Sequence, residues 1–292
     1  MPQALHPGLK SALDAYRKKK NFNAIEWIES KCSKLNSYMR AHGLKACVTN
    51  VSGGIDSAVV IALCARAMKS VESPIVKNVG VCQPIKSSDW ALARGRENIA
   101  ACQATEVIVD QTHLHTQLSG VIGDAVGIQA KDFASGQLRC YMRTPTIYYI
   151  TQLLNQEGTP AIVMGTGNKD EDFYLGYFCK AGDGIVDLQL ISDLHKSEVY
   201  MVAEALGVPE NTRRAPASAD LWEGHTDEDE LGFPYDFVEF FTGWYIDQSE
   251  TDKIDFIEGL SPEARHQFKA YARACEDVHR RNAHKLNGLV VL

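Results

Sequence analysis

None of the eight cysteines, at 32, 47, 64, 82, 102, 140, 179 and 275, forms a Cys-x-x-Cys pair. That spacing argues against a zinc ribbon and a dithiol redox site, and buried thiols are the expectation for Cys47, Cys64 and Cys82, which sit in apolar runs. Long apolar runs are lacking too. The longest, Ala58 to Ala65, is far too short to cross a bilayer, and residues 1–20 hold no apolar core of the kind a signal peptide needs. A reducing, cytoplasmic setting without membrane association is expected. Positive charge is in deficit, with 30 Lys+Arg against 37 Asp+Glu and a net charge of −7, which argues against nucleic-acid binding as the main activity. Neither a Gly-x-x-x-x-Gly-Lys-Ser/Thr loop nor a Gly-x-Gly-x-x-Gly fingerprint occurs, so kinase, GTPase and dinucleotide-fold readings fail.

What is present is Ser52-Gly53-Gly54-Ile55-Asp56-Ser57, directly after the apolar run Cys47 to Val51. A strand that enters a glycine-rich turn and then a helix, here expected over 57–70, gathers backbone N–H groups at a helix N-terminus. Phosphate oxygens can be held there without a basic side chain. The hexad resembles the Ser-Gly-Gly-x-Asp-Ser loop of ATP pyrophosphatases, which split ATP into AMP and pyrophosphate.

Composition is that of an ordinary globular protein, with 45% apolar and 23% charged residues over 292 positions. The length suits one large domain with a sizeable core. Periodicity predicts a helix buried through Ile25, Ile28, Cys32, Leu35 and Met39 and stopped by Gly43. Strand and helix signals then alternate: strands at 47–51, 77–82, 105–110 and 161–165 and a short one near 185–188, with helices at 57–70, 90–102, from 112, and at 137–156 and 196–206. Such alternation reads as an α/β fold, a doubly wound parallel sheet with helices on both faces. Its ligands bind outside the carboxyl ends of the strands, so the segments after Val51, Val81 and Met164 should converge. Residues 213–231 are polar, aperiodic and long for a connection, and are read as a candidate lid. From 234 onward the chain reads as helical, with Trp244, Tyr245, Phe256, Phe268 and Tyr271 as packing residues, while 1–24 reads as a polar N-terminal extension.

Further stretches carry a more specific likeness: Gly165 to Glu171 (GTGNKDE), Gly176 to Gly184 (GYFCKAGDG), Asp187, Leu194-His195-Lys196, Ser218 to Trp222 (SADLW) and His284-Lys285. From about Ile25 to the C-terminus their order and spacing resemble ammonia-dependent NAD synthetases. The resemblance implies a five-stranded sheet of the adenine-nucleotide alpha-hydrolase type. It also implies the amidation of deamido-NAD by ammonia at the expense of ATP, through an adenylate, giving NAD, AMP and pyrophosphate.

Carried over position by position, the resemblance implies that Asn50, Val51, Ser52, Gly53, Gly54, Ile55, Asp56 and Ser57, with Thr166, Lys196 and Ser218, bind ATP. It implies Mg2+ held by Asp56 and Glu171, and deamido-NAD contacts from Arg143, Lys180, Asp187, His284 and Lys285. The family shows two arginines one residue apart near the long central helix. Tyr141 stands at the first of these positions and Arg143 at the second, with Arg139 a candidate substitute for the first. Ile55 stands where many members carry glutamine. The family also implies a homodimer with deamido-NAD bound across the interface, for which helix 137–156 offers Leu138, Met142, Ile147, Tyr148, Ile150 and Leu153.

Ahead of Ile25 there is room only for a short polar segment and not for a glutamine amidase domain, so free ammonia or a separate ammonia donor is expected. Competing readings are another AMP-forming ATP pyrophosphatase, such as a GMP synthetase-like enzyme, and a nucleotide-binding module without catalysis.

Overall fold

The computed structural model describes residues 2–218 and 226–287. Its centre is a parallel sheet of five strands: β1 (Ala46–Asn50), β2 (Lys77–Cys82), β3 (Thr105–Ile108), β4 (Ala161–Gly165) and β5 (Leu188–Gln189). They lie in the order β3-β2-β1-β4-β5. The chain winds outward from β1 in one direction and then returns to pair β4 with its other side. Between β1 and β4 the winding reverses, and a crevice at the carboxyl ends follows from that topology. β1, β2 and β4 are buried along nearly their whole length, as strands covered on both faces are.

On one face, α2 (Ala24–Ala41), α3 (Ile55–Met68) and α7 (Lys196–Ala205) enclose a core containing Met39, Leu63, Met164 and Val202. The other face is covered by α6 (Asp132–Gln156), whose Ile147 packs against Val48, Val79 and Val163. Flanking elements are α4 (Asp89–Ala101), α5 (Thr112–Val126) and α8 (Glu210–Arg213). A separate aromatic core joins α1 (Pro7–Lys20), α9 (Asp227–Leu231), α10 (Tyr235–Gly243), α11 (Glu250–Gly259) and α12 (Pro262–Leu286) around Phe233, Phe237, Phe240, Phe241 and Phe268.

Several expectations change. The N-terminal segment is not merely polar: residues 7–20 are a helix opened by Pro7, with Leu9 and Leu13 fully buried in the aromatic core. Its apolar stripe is too narrow to stand out among four lysines and an arginine. Ile25 is 58% exposed, because its turn precedes the part of α2 that meets α3. β5 starts at Leu188 rather than 185 and β3 stops at Ile108, both being edge strands with little pairing to hold them. α6 begins five residues before Gln137, at Asp132, and carries Pro145 within it. Of the candidate lid 213–231, residues 219–225 lie outside the described residues, while Asp227–Leu231 are helical and capped by Thr226. Cys32, Cys47, Cys64 and Cys82 are buried as free thiols. Among the described residues no helix is long and apolar enough to cross a membrane.

Candidate active site

The turn between β1 and α3 sits at the carboxyl edge of the sheet. Gly53 has φ +86°, and a Cβ there would lie 2.3 Å from the Ala91 carbonyl oxygen. Glycine is therefore required both by the backbone conformation and by the approach of α4. Gly54 is the N-cap of α3 and offers no side chain, which leaves the end of the helix open to an anion. The serines fix the loop's shape: Ser52 Oγ and Ser57 Oγ are 3.2 Å apart, Gly54 N donates to Ser52 Oγ, and Ser57 Oγ donates to the Gly54 carbonyl. Ile55 is 4% exposed and packs into the core beneath the loop, which accounts for an apolar residue at that position.

The loop opens into a cavity of about 270 Å³ between the ends of β1, β2 and β4. Asn50, Val51, Ser52, Gly54, Ile55, Asp56 and Ser57 line it together with Thr166, Glu171, Lys196 and Ser218. The three strand ends thus converge as the topology requires. Asn50 is held by Gln83, whose Nε2 donates to Asn50 Oδ1 at 2.6 Å, and Gln83 in turn accepts from Gln111.

Asp56, in the first turn of α3, and Glu171, on the π-helical turn Lys169–Leu175, face each other across Lys196. Lys196 Nζ donates to Asp56 Oδ2 at 2.6 Å and to Glu171 Oε1 at 2.8 Å. Its side chain is 5% exposed. Asn168 Nδ2 donates to Asp56 Oδ1, and the Tyr235 hydroxyl donates to Glu171 Oε1. Burial raises the Asp56 carboxyl, with the Lys196 ammonium opposing it. Burial also pushes Glu171 up, but the ammonium and its hydrogen bonds outweigh this and leave Glu171 low. Burial disfavours the charge of Lys196, yet the carboxylates around it hold its pKa well above the usual lysine range. Next to them, Asp172 is pushed up to about 8, by burial first and then by Glu171, Asp183 and Asp56. The cluster has more carboxylates than cations, so a polyphosphate entering it needs a cation alongside.

Two carboxylates meeting on one cation fit a hard divalent ion that completes its shell with water and phosphate oxygens. Among the described residues no group of three or more His, Cys, Asp or Glu side chains could hold a metal by itself.

The residues expected to contact the second nucleotide divide into groups. Arg143 lines the cavity and its Nε donates to the Gln83 carbonyl at 3.4 Å. Arg139 lies one turn earlier on α6, partly buried, while Tyr141 is 43% exposed and bonds Gln137. Positions 139 and 143 share a helix face and 141 does not; of the three, Arg143 alone lines the cavity. Lys180, His284 and Lys285 come together on the loop 176–184; they do not line the cavity themselves, although Tyr177, Gly182 and Asp183 of that loop do. Lys180 Nζ donates to the His284 carbonyl at 2.8 Å, and Lys285 Nζ donates to the carbonyls of Gly176 and Phe178. They tie the loop 176–184 to the end of α12. Asp187 accepts from the Tyr148 hydroxyl and from Val163 N, both at 2.9 Å, and so joins α6 to β4 rather than lining the cavity.

Sequence reasoning missed Tyr235, Asp227, Gln83 and Asp172. Tyr235 bridges Glu171 and Asp227 from α10, more than 60 positions away from Glu171 in sequence, and no local pattern marks it.

A sequence profile of the NAD synthase family matches residues 27–287. The NH3-dependent NAD+ synthetase of Alkaliphilus metalliredigens is 34% identical over 246 residues, covering 82% of this chain and 94% of that protein. In fold, the chain is similar to the NMN synthetase of Francisella tularensis, with a TM-score of 0.74 at 23% identity over 93% of this chain and 99% of that one. The NH3-dependent NAD synthetase of Campylobacter jejuni gives 0.66 at 21% identity, over 93% and 99% of the two chains.

Proposed function

Because the chain belongs to the NAD synthase family, we propose that it joins ammonia to the nicotinate carboxyl of deamido-NAD, consuming ATP through an adenylate and releasing AMP and pyrophosphate. Its curated relatives are NH3-dependent NAD+ synthetases, ligases that form a C–N bond. The observation that carries the reading is the triad of Asp56, Lys196 and Glu171 set directly beside the Ser52–Ser57 loop in one cavity.

The chemistry asks for two things from that cavity. The substrate carboxylate attacks the α-phosphorus of ATP, so the β- and γ-phosphates must be held while negative charge moves onto them. The open N-terminus of α3 and the loop N–H groups supply fixed dipoles for this, and the Lys196 ammonium supplies a point charge. Asp56 and Glu171 would hold Mg2+, which when bound neutralises part of the polyphosphate charge. Thr166 and Ser218 also line the cavity and are proposed to contact ATP. Arg143 and Arg139 are proposed to meet the anionic nucleotide, and Lys180, Asp187, His284 and Lys285 to shape its site. Ammonia then attacks the acyl carbon and AMP departs, taking the bonding pair of the C–O bond.

A homodimer is part of the proposal. Leu118, Val121, Ile122, Val126, Phe133 and Tyr149 leave an apolar surface on α5, α6 and the segment joining them, with Val121 68% and Tyr149 66% exposed.

The test is turnover by purified protein with Mg·ATP, ammonium and one acceptor at a time. AMP and pyrophosphate should appear with deamido-NAD at a far higher rate than with xanthosine monophosphate. Nicotinate mononucleotide is the competing acceptor, since the similar fold from Francisella tularensis is that of an NMN synthetase. A clear preference for it would move the substrate from dinucleotide to mononucleotide while leaving the adenylation chemistry in place. Release with xanthosine monophosphate alone would overturn the reading.

A further inference from the structure

α1 lies ahead of the segment that the family profile matches, yet it reaches the helix that carries the active-site lysine. Tyr16, Arg17 and Lys20 sit on neighbouring positions of one side of α1, and each ends on the first turn of α7 or on what holds it. Lys20 Nζ meets Glu198 Oε1 at 2.5 Å. The other oxygen of Glu198 accepts from His195 N at 3.0 Å, the return bond of a capping box at the start of α7. Arg17 grips Glu239 through Nε at 3.0 Å and an Nη at 2.5 Å, and Glu239 accepts from Ser197 Oγ at 2.7 Å. The Tyr16 hydroxyl lies 3.4 Å from His195 Nε2, while His195 Nδ1 contacts Asp170 Oδ1 at 2.6 Å and Asp170 Oδ2 accepts from Lys196 N at 2.7 Å.

Residues 195, 196, 197 and 198 are therefore each fixed, and three of the four fixings lead back to α1. Glu198 and Glu239 are 3% and 2% exposed, and the cation that meets each comes from α1. A buried carboxylate that loses its cation must protonate or turn outward; the first weakens and the second breaks the bond it accepts from α7. α10 leaves room for the contact: a Cβ on Gly243 would lie 2.6 Å from the Tyr16 hydroxyl and 2.9 Å from His195 Nε2. Burial, with Glu198, Glu239 and Asp170 nearby, pushes the Tyr16 phenol up to about 12 and keeps it a donor.

We infer that α1 is a positioning element of the active site, in which Tyr16, Arg17 and Lys20 set the first turn of α7 and so the place of the Lys196 ammonium. This rests on the reading of Lys196 as a phosphate contact. The plainer role, in which α1 only plugs the aromatic core through Leu9 and Leu13, makes a different forecast.

Full-length Lys20→Met, Tyr16→Phe and Leu13→Ala variants separate the two. Each is measured for Mg·ATP affinity by calorimetry, for Tm, and for turnover with deamido-NAD. Positioning forecasts that Lys20→Met and Tyr16→Phe weaken ATP binding, by about tenfold in the larger case, short of the ~10²-fold that a 1 Å misplacement can cost. Lys20→Arg should restore most of the affinity, while Leu13→Ala lowers Tm and leaves affinity unchanged. Wild-type affinity in both Lys20→Met and Tyr16→Phe, or an equal loss in Leu13→Ala, overturns the inference. If Lys20→Met does not fold, Tyr16→Phe and Lys20→Arg measured against Leu13→Ala decide between the two roles. Wild-type protein that binds ATP but ignores deamido-NAD would sink the proposed reaction alone, because the positioning claim is read from ATP binding.

Discussion

At the scale of single residues, the site divides by how its chemistry is written in sequence. The loop Ser52–Ser57 is legible because a backbone cradle demands glycine at one position and a small hydroxyl at others, and those demands fall on consecutive residues. Gly53 shows the demand in full, since its conformation and the Ala91 carbonyl both reject a side chain. Tyr235 and Asp227 are not legible, because a tyrosine that positions a carboxylate from a distant helix obeys no spacing rule. Asp187, expected at the ligand, bonds Tyr148 and the β4 backbone. An aspartate in a motif can serve the fold beneath a site as readily as the site itself. Asp56 is where the residue scale is tested. Asp56→Asn keeps the shape and the bond with Asn168 in reach but removes the charge facing Lys196, so the fold should persist. Turnover should fall by at least about 10²-fold, the size of effect seen when one charge-stabilising group is removed. Steady-state rates beside a circular dichroism spectrum check this, and an unchanged rate with an intact fold would remove Asp56 from metal binding.

At the scale of elements, central strands and helices are legible and the periphery is not. β1, β2 and β4 are covered on both faces and read as strands rich in apolar and small residues, β4 without a polar side chain, whereas β3 and β5 are edges whose ends are set by a neighbour on one side only. α1 is hidden for a different reason: its outward face is crowded with lysine, and only Leu9 and Leu13 mark its buried side. Its polar side is nonetheless structural. Burial pushes the Asp236 carboxyl up, but hydrogen bonds from Lys10 and Arg17, at 3.0 and 2.6 Å, outweigh this and hold it below the ordinary aspartate range. A carboxylate with a depressed folded pKa contributes stability that is present above its unfolded pKa, near 3.8, and is lost as pH falls through the folded value. Asp236→Asn should therefore lower stability near pH 7 by on the order of 1 kcal/mol or less, the side chain being partly open to solvent. The difference in Tm between variant and wild type should hold down to about pH 4 and shrink as pH falls below it. Thermal melts at several pH values check it, and a gap that widens in acid would mean that the α1–α10 contact is not what stabilises.

At the scale of the whole molecule, one surface does not suit a monomer. Large apolar side chains at Leu114, Leu118, Val121, Ile122, Val126, Ile128 and Phe133 run along α5 and into α6, where Tyr141, Tyr149 and Leu153 continue them. Singly exposed apolar residues are ordinary, but ten along two successive helices and their connection support the proposed association. The same helix α6 packs Ile147 into the sheet and sends Arg143 into the cavity, so whatever seats on its outer side acts on an element of the site. A second copy of the chain meets the requirement most directly, because a twofold axis brings the patch against itself and needs no other partner. Part of this is legible in the apolar content of 137–156, but periodicity alone does not say which apolar helix residues face inward, and half of the patch lies on α5, whose sequence carries no signal of its own for association. The expected mass in solution is twice the 32.3 kDa of one chain. Val121→Lys with Ile122→Glu places unpaired charge on the patch, away from the triad, and should shift light-scattering mass to that of one chain while Tm stays within a few degrees. If the family's placement of the dinucleotide across the interface holds here, turnover should fall with the mass and recover at high protein concentration. A wild-type protein that elutes at one chain mass across micromolar concentrations would exclude the twofold pairing and leave the patch to another occupant.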